Sequence, residues 1–455
     1  MKTFEYFIRN FELYFKVDKI QIDYGITQSA QISIVKNADD SFWESKKDID
    51  ADRIVWKEWK GVRIPFLFNT GDKEDVLTKK ENQIIINYDI VASAFYFLSG
   101  WNEYISADKD DFGRVKYEST LIHKLKIDGV PVVNYYFDIL SDAITQISGQ
   151  ASKNLWQEHP FAVALTHDID VCNRGWLEGS FSEFKKKRFL SIPKLILNRL
   201  IGNDDWFNFS KIVGLERKYQ ANSTFYFLPR KGKVNGWKNA DYDVHSIGIK
   251  KVIQDLNENG NETGVHGSFG THADSELMKQ DIARITGKQV TGNRFHFLMF
   301  DVRKTVSVLE NAGVKYDTSL GFAEQIGFRR GTCLPFYLYN FEKREISSVM
   351  EIPLIVMDAS LLFNKYMGLS LKESVPAVVA IIEEVKKFNG VFTILWHNTS
   401  FSEYKYTGWC DVYEQIISYC KDNNALLTSN IDIYNRINGT DSTSIIKNKK
   451  YVHRN

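Results

Sequence analysis

Between residues 155 and 435, short apolar runs of strand character alternate with amphipathic stretches of helical spacing. That alternation restricts the region to a mostly parallel sheet joined by helical crossovers of one hand. The strand-like runs are 161–165, 223–228, 263–266, 290–297, 314–316, 350–356, 391–397 and 425–428. Helical spacing marks 249–257, 275–286, 302–311, 371–388 and 412–422. About seven parallel strands predict an α/β fold of the distorted (β/α) barrel kind, short of eight full units. A doubly wound open sheet is the second choice. Residues 1–150 read differently. Segments 18–24 and 30–35 alternate apolar and polar side chains, as half-buried strands do, and 84–86 followed by 88–100 predicts a strand and a buried helix. The expected division is a smaller α+β domain over 1–150, the barrel over 151–440 and a polar C-terminal tail over 441–455.

Each of four strand runs ends abruptly in polar side chains. Asp168 and Asp170 follow 161–165, His266 follows 263–265 with His272 beyond it, Arg294 and His296 end 290–297, and His397 ends 391–397. In parallel barrels, reactive groups gather where strands hand over to loops. Carboxylates directly after a buried apolar strand are costly without partners. Carboxylate and imidazole together are the ligand types that hold zinc or a similar divalent cation. Side chains alternate along a strand, so His167 and Trp396 should face away from their neighbours Asp168 and His397 and serve the core.

Charge excludes some partners. The chain has 58 basic and 57 acidic residues, a net charge of +1, and so no general attraction to nucleic acid. Four cysteines, Cys172, Cys333, Cys410 and Cys420, are too sparse for a disulfide framework and read as free thiols of a reducing compartment. The first ten residues include Glu5 and Arg9 and no unbroken apolar stretch, unlike a signal peptide. No run is long enough to span a membrane, and the expected location is the cytoplasm. Residues 184–201 are basic and amphipathic. Such a segment can make peripheral contact with an anionic membrane, but the plainer expectation is a solvated helix whose apolar side packs on the barrel.

The strand-end residues resemble the motifs of the polysaccharide deacetylase family (NodB homology, carbohydrate esterase family 4), over about residues 155–435. Thr166-His167-Asp168-Ile169-Asp170 is similar to the first motif, Thr-Phe-Asp-Asp-Gly, and implies Asp168 as base and Asp170 as metal ligand. Val265-His266-Gly267-Ser268 is similar to the start of the second, His-Ser/Thr-x-x-His, and implies His266 as ligand. Arg294-Phe295-His296 is similar to the third, in which an arginine holds the catalytic Asp. Leu395-Trp396-His397 is similar to the last, whose histidine is the general acid. The four occur in the family's order. Two positions depart from the pattern: Gly270 stands where the family has its second metal histidine, and His296 stands where many members have proline. The third ligand is therefore His272, His296 or water. The N-terminal 150 residues resemble an accessory domain that precedes the deacetylase domain in some bacterial members.

The resemblance implies a NodB-like barrel that removes N-acetyl groups from an N-acetylated carbohydrate, using a divalent cation, with zinc as first choice. The chemistry suits the residue types. A cation polarises the acetyl carbonyl, a carboxylate takes a proton from water, and a histidine titrating near neutrality protonates the departing amine. The rivals are hydrolysis of another non-peptide C–N bond on the same fold, and a glycan-binding protein with impaired catalysis. Arg329 and Arg330 are expected in a substrate-facing loop or a plain charged turn.

Overall fold

The computed structural model describes residues 2–17, 20–71, 75–149, 152–285 and 290–439, and the polar tail expected over 441–455 lies outside them. Strand Ala162–Ile169 is central to the larger sheet, and all eight of its residues are buried. From it, the strands Thr224–Phe227, Glu262–Gly267, Gly292–Phe295, Tyr316–Asp317 and Glu345–Glu351 follow side by side in chain order, each parallel to the one before. On its other side lie Val391–Leu395 and then Val356–Met357, also parallel. Leu426–Thr428 pairs parallel with Ala162–Ala164 off this path, and the other parallel strands follow in circular order, as in a barrel. A doubly wound sheet would reverse direction at a switch point. The result is a curled, mostly parallel half-barrel, with residues 352–355 carrying the chain across its opening.

Two features depart from the sequence expectation. The run 350–356 divides into two strands on opposite sides of that opening. Phe336–Asn340, which carries no alternating pattern, forms an antiparallel hairpin with Glu345–Glu351. The helices fall close to their expected places, including Ile247–Glu258, Leu371–Lys387 and Trp409–Asp422. The 184–201 segment lies within a hairpin of two helices, Gly175–Lys185 and Ser191–Leu200.

The N-terminal region has its own four-stranded sheet, in the order Ile22–Tyr24, Ile32–Ile34, Gln83–Ile86, Leu77–Lys80, and the wholly buried helix Ile90–Ser99. It does not stand apart from the barrel, because one continuous apolar core includes Phe7, Phe95, Tyr136, Tyr339 and Ile382. The Tyr14 hydroxyl donates to the Pro335 carbonyl at 2.6 Å, and the Tyr337 amide donates to Asn10 Oδ1 at 2.7 Å.

An ionic contact also joins the two parts. Glu103, in the short helix Trp101–Ile105, accepts from Arg329 Nε at 3.0 Å and Nη2 at 2.8 Å, and from Arg330 Nη2 at 3.2 Å. All three side chains are buried. Arg329 and Arg330 thus lie in a turn, one of the two sequence expectations, but it is a buried turn that faces neither substrate nor solvent. Gly100 makes room for this network. It adopts φ +73, and a Cβ there would fall 1.7 Å from Arg330 Nη1. Burial alone would raise the Glu103 carboxyl, but the two guanidinium groups outweigh it and bring it down to about 2. Replacing one partner of a buried charge cluster typically costs about 3–5 kcal/mol. The unfolding free energy of the Glu103→Gln variant, measured by denaturant titration, should be lower by that amount. Because the folded carboxyl titrates below its ordinary value, its stabilisation is complete above pH 4.5 and is lost as pH falls through about 2. Acid unfolding curves of the two proteins should therefore converge at the acid end.

Candidate metal centre

In-register neighbours on parallel strands share a face, and this assembles the site. Leu395 lies beside Thr166, and His266 lies beside Arg294. Two residues further along their strands, on the same face, come Asp168, His296 and His397, and after Asp168 comes Asp170. His167 faces outward, as its alternation predicts, and bonds to Glu216 at 2.8 Å and the Trp396 carbonyl at 2.8 Å. Trp396 is fully buried against Tyr413 and Trp409.

His266, His296 and Asp170 form a tight triangle. His266 Nε2 lies 3.1 Å from His296 Nδ1 and 3.2 Å from Asp170 Oδ1, and His296 Nδ1 lies 3.4 Å from Asp170 Oδ1. The outer nitrogens are engaged by backbone carbonyls: His266 Nδ1 with Arg294 O at 2.7 Å, His296 Nε2 with Lys238 O at 3.1 Å. A carbonyl can only accept, so each outer nitrogen carries the proton and each lone pair points inward. Two lone pairs and a carboxylate oxygen facing one another call for a cation. Asp170 Oδ1 is buried and has no hydrogen-bond partner. Ligands about 2.1 Å from a tetrahedral zinc are separated by about 3.4 Å, close to the three edges here. The residues present fit a divalent cation.

Electrostatics favour an ionised Asp170 and a neutral His296. Burial would raise the Asp170 carboxyl, but His296 and His266 outweigh it and hold it well below the usual carboxylate range. Burial pushes the His296 imidazole down to about 4, which leaves its lone pair free at neutral pH. For His266, burial pulls down but Asp168 and Asp170 prevail and its pKa rises, so without a cation Nε2 tends to hold a proton that a bound cation would displace.

His272 is not brought to this triangle. The turn Thr271–Ala273 carries its ring towards Phe295, 6.3 Å away, on the strand face opposite Arg294 and His296. Of the histidines the sequence left open, His296 and not His272 stands beside Asp170 and His266.

Asp168 sits beside the triangle. Its Oδ2 is 3.6 Å from His266 Nε2, and its Oδ1 accepts from Arg294 Nη1 at 3.0 Å. Arg294 is fully buried over the Tyr226 ring and is held by Thr166 Oγ1 and by the carbonyl and hydroxyl of Thr318. This fixes the orientation of the Asp168 carboxylate.

His397 stands across the pocket, with Nε2 3.8 Å from Asp170 Oδ2. Its Nδ1 meets Asp358 Oδ1 at 2.7 Å, and its backbone amide donates to Asp358 Oδ2 at 2.9 Å. Burial would lower the imidazole, but Asp358, with Asp170 and Asp168, raises it to about 10. The sequence expectation of a near-neutral histidine is thus displaced upward, because Asp358 was not in view. Asp358 directly follows the strand Val356–Met357, so the same strand-end signal that marked Asp168 also marks it.

The cavity over these groups has a volume of about 290 Å³. One wall is apolar, with Leu298, Met357 and Leu362, and aromatic rings of Phe297, Tyr366 and Tyr406 border it. The N-terminal region supplies Phe112 and Arg114 to the rim. Phe112 stacks on Phe297 at 4.7 Å, and Arg114 donates to the Phe297 carbonyl at 2.9 Å. Phe297 and Leu298 both take positive φ, 58 and 53, directly after ligand candidate His296. Non-glycine residues in that region are held there by their surroundings. Sequence reasoning found no functional residue in 1–150, because Phe112 and Arg114 acquire their place only through tertiary contact.

The fold and site together define a (β/α) half-barrel with an Asp–His–His cluster that could hold a cation, flanked by a carboxylate–arginine pair and a carboxylate–histidine pair. A family model described as "Family of unknown function (DUF7033)" matches residues 3–148. No curated protein sequence matches the chain. Among solved structures, the chain is similar to one described as a polysaccharide deacetylase from Mycobacterium smegmatis, at 15% identity and a TM-score of 0.42 over 66% of this chain and 96% of that one. It is similar to the PuuE allantoinase at 12% and 0.42, over 63% and 93%. It is also similar to a CE4 family pseudoenzyme from Bacillus anthracis at 11% and 0.31, over 61% and 66%. The chemistry available to this chain is read from its own side chains.

Proposed function

We propose that the protein is a metal-dependent hydrolase that removes acetyl groups from an N-acetylated sugar. The observation that carries this reading is the triangle of Asp170, His266 and His296, with an unpartnered carboxylate oxygen and two inward lone pairs. A divalent cation held there, zinc being the first choice for two imidazoles and a carboxylate, would polarise an amide carbonyl and acidify water. Asp168 accepts the proton of the attacking water, and Arg294 keeps its carboxylate turned for that purpose. His397 gives a proton to the departing nitrogen, and Asp358 holds its ring and maintains its charge. The C–N bond breaks, and acetate and a free amine leave. The aromatic rim suits the apolar face of a sugar ring.

The cysteines are free, and Cys172, Cys333 and Cys420 are buried, in keeping with a reducing compartment. Among the described residues, no helix is long and apolar enough to cross a membrane. We take a glycan precursor of the cell surface, met in the cytoplasm, as the substrate class. Acetate release from a panel of N-acetylated sugars tests the reading. The expected result is release that stops on chelation and returns with added zinc, and release that persists after complete chelation would refute it.

A further inference from the structure

We propose that the helical hairpin formed by Gly175–Lys185 and Ser191–Leu200 docks the protein onto an anionic lipid surface. Large apolar side chains on a soluble surface are normally scattered singly. Here, nine of the fifteen that are exposed among the described residues lie between 177 and 201. Leu190 is 96% exposed, Leu200 78%, and Phe184, Phe189 and Leu197 are each more than half exposed.

The inner side of the hairpin is already occupied, so the barrel does not cover these residues. Leu195 is buried and close to Gly179, where an added Cβ would meet Leu195 at 3.3 Å and Tyr404 at 3.2 Å. The Ser182 hydroxyl donates to the Tyr404 carbonyl, and Glu178 pairs with Lys405 at 2.8 Å. The hairpin is thus firmly seated with its apolar outer face open. The plainer sequence expectation of an apolar side packed on the barrel holds for Leu195, and the nine exposed large apolar side chains face outward.

Charge selects the occupant. Residues 175–201 contain six basic side chains, Lys185, Lys186, Lys187, Arg188, Lys194 and Arg199, against two acidic ones. Both acids are engaged internally: Glu178 binds Lys405, and Glu183 is buried with Lys186 at 3.6 Å. The chain as a whole has a net charge of +1, so this excess is local. An apolar face bordered by lysine and arginine matches acyl chains under anionic headgroups. A second copy is disfavoured, since a two-fold contact through this face would bring two basic clusters together. The hairpin begins five residues after Asp170 and rests on the loop that carries Tyr406, at the pocket rim. Docking therefore places the pocket mouth beside the lipid. The docking itself does not depend on the chemistry at the pocket.

Co-sedimentation of the full chain with vesicles tests this. Vesicles of phosphatidylcholine and phosphatidylglycerol in equal amounts should pellet the protein, and phosphatidylcholine alone should not. The double variants Leu190→Asp with Leu197→Asp, and Lys185→Glu with Arg188→Glu, should each weaken association about tenfold or more. Both should keep the melting temperature, because all four side chains are exposed. They should also keep acetate release from a water-soluble substrate, which separates failure of docking from failure of the hydrolase reading. The proposal is overturned if the unaltered protein stays in solution with anionic vesicles, or if both variants pellet like it. It is equally overturned if sedimentation velocity shows a dimer that Leu190→Asp with Leu197→Asp dissociates.

Discussion

Replacing Asp168 by asparagine is expected to cut turnover by a factor on the order of a hundred to ten thousand, the usual consequence of losing a general base. An amide of nearly the same shape cannot take the proton from water. The structure adds a second effect that the sequence alone does not reveal. Arg294 is completely buried and makes its ion pair with Asp168. An asparagine oxygen can still accept its hydrogen bond but leaves the guanidinium charge without a counterion. Unpairing a buried charge costs about 3–5 kcal/mol, and the retained bond places this case at the lower end. Asp168→Asn should therefore melt earlier while the folded fraction still binds metal, and its turnover must be measured well below its melting point. Acetate release near the unaltered rate would move the base elsewhere.

His397→Ala is expected to slow turnover by a comparable factor while sparing the cation. The ring belongs to the leaving-group side of the pocket, and Asp170, His266 and His296 keep their mutual contacts without it. Asp358 would still be held by the residue 397 amide and by the Ser400 hydroxyl. Its charge, however, would lose the imidazolium partner, so a modest drop in stability should accompany the loss of rate. If His397 were only a hydrogen-bonding residue at the end of a core strand, the variant would melt early and the folded enzyme would turn over normally. Melting temperature, bound metal and initial rate, taken on one preparation, separate the two outcomes.

The strand-end positions were legible because alternation along a strand is a local rule. Once 161–165 is a strand, Asp168 and Asp170 share one face and His167 takes the other, and the structure obeys this. The circular strand order followed from the same run of alternating elements. What was not legible arose from contacts far apart in sequence. Phe112 and Arg114 reach the pocket only because the N-terminal region and the barrel share one core. Arg329 and Arg330 read as a substrate-facing loop or a charged turn, and their burial depends on Glu103, more than two hundred residues earlier, which accepts from both. Residues 336–340 have no alternating pattern because both faces of that strand are buried. The choice between His272 and His296 turned on the direction of a short turn, which spacing does not encode.

The central claim is that Asp170, His266 and His296 hold a divalent cation that the chemistry requires. Calorimetric titration of chelator-treated protein with zinc tests it most directly. One equivalent should bind to the unaltered protein, and binding should disappear in the Asp170→Ala, His266→Ala double variant while it persists in His397→Ala. Undiminished binding of one equivalent by the double variant, or no binding by the unaltered protein, would contradict the account.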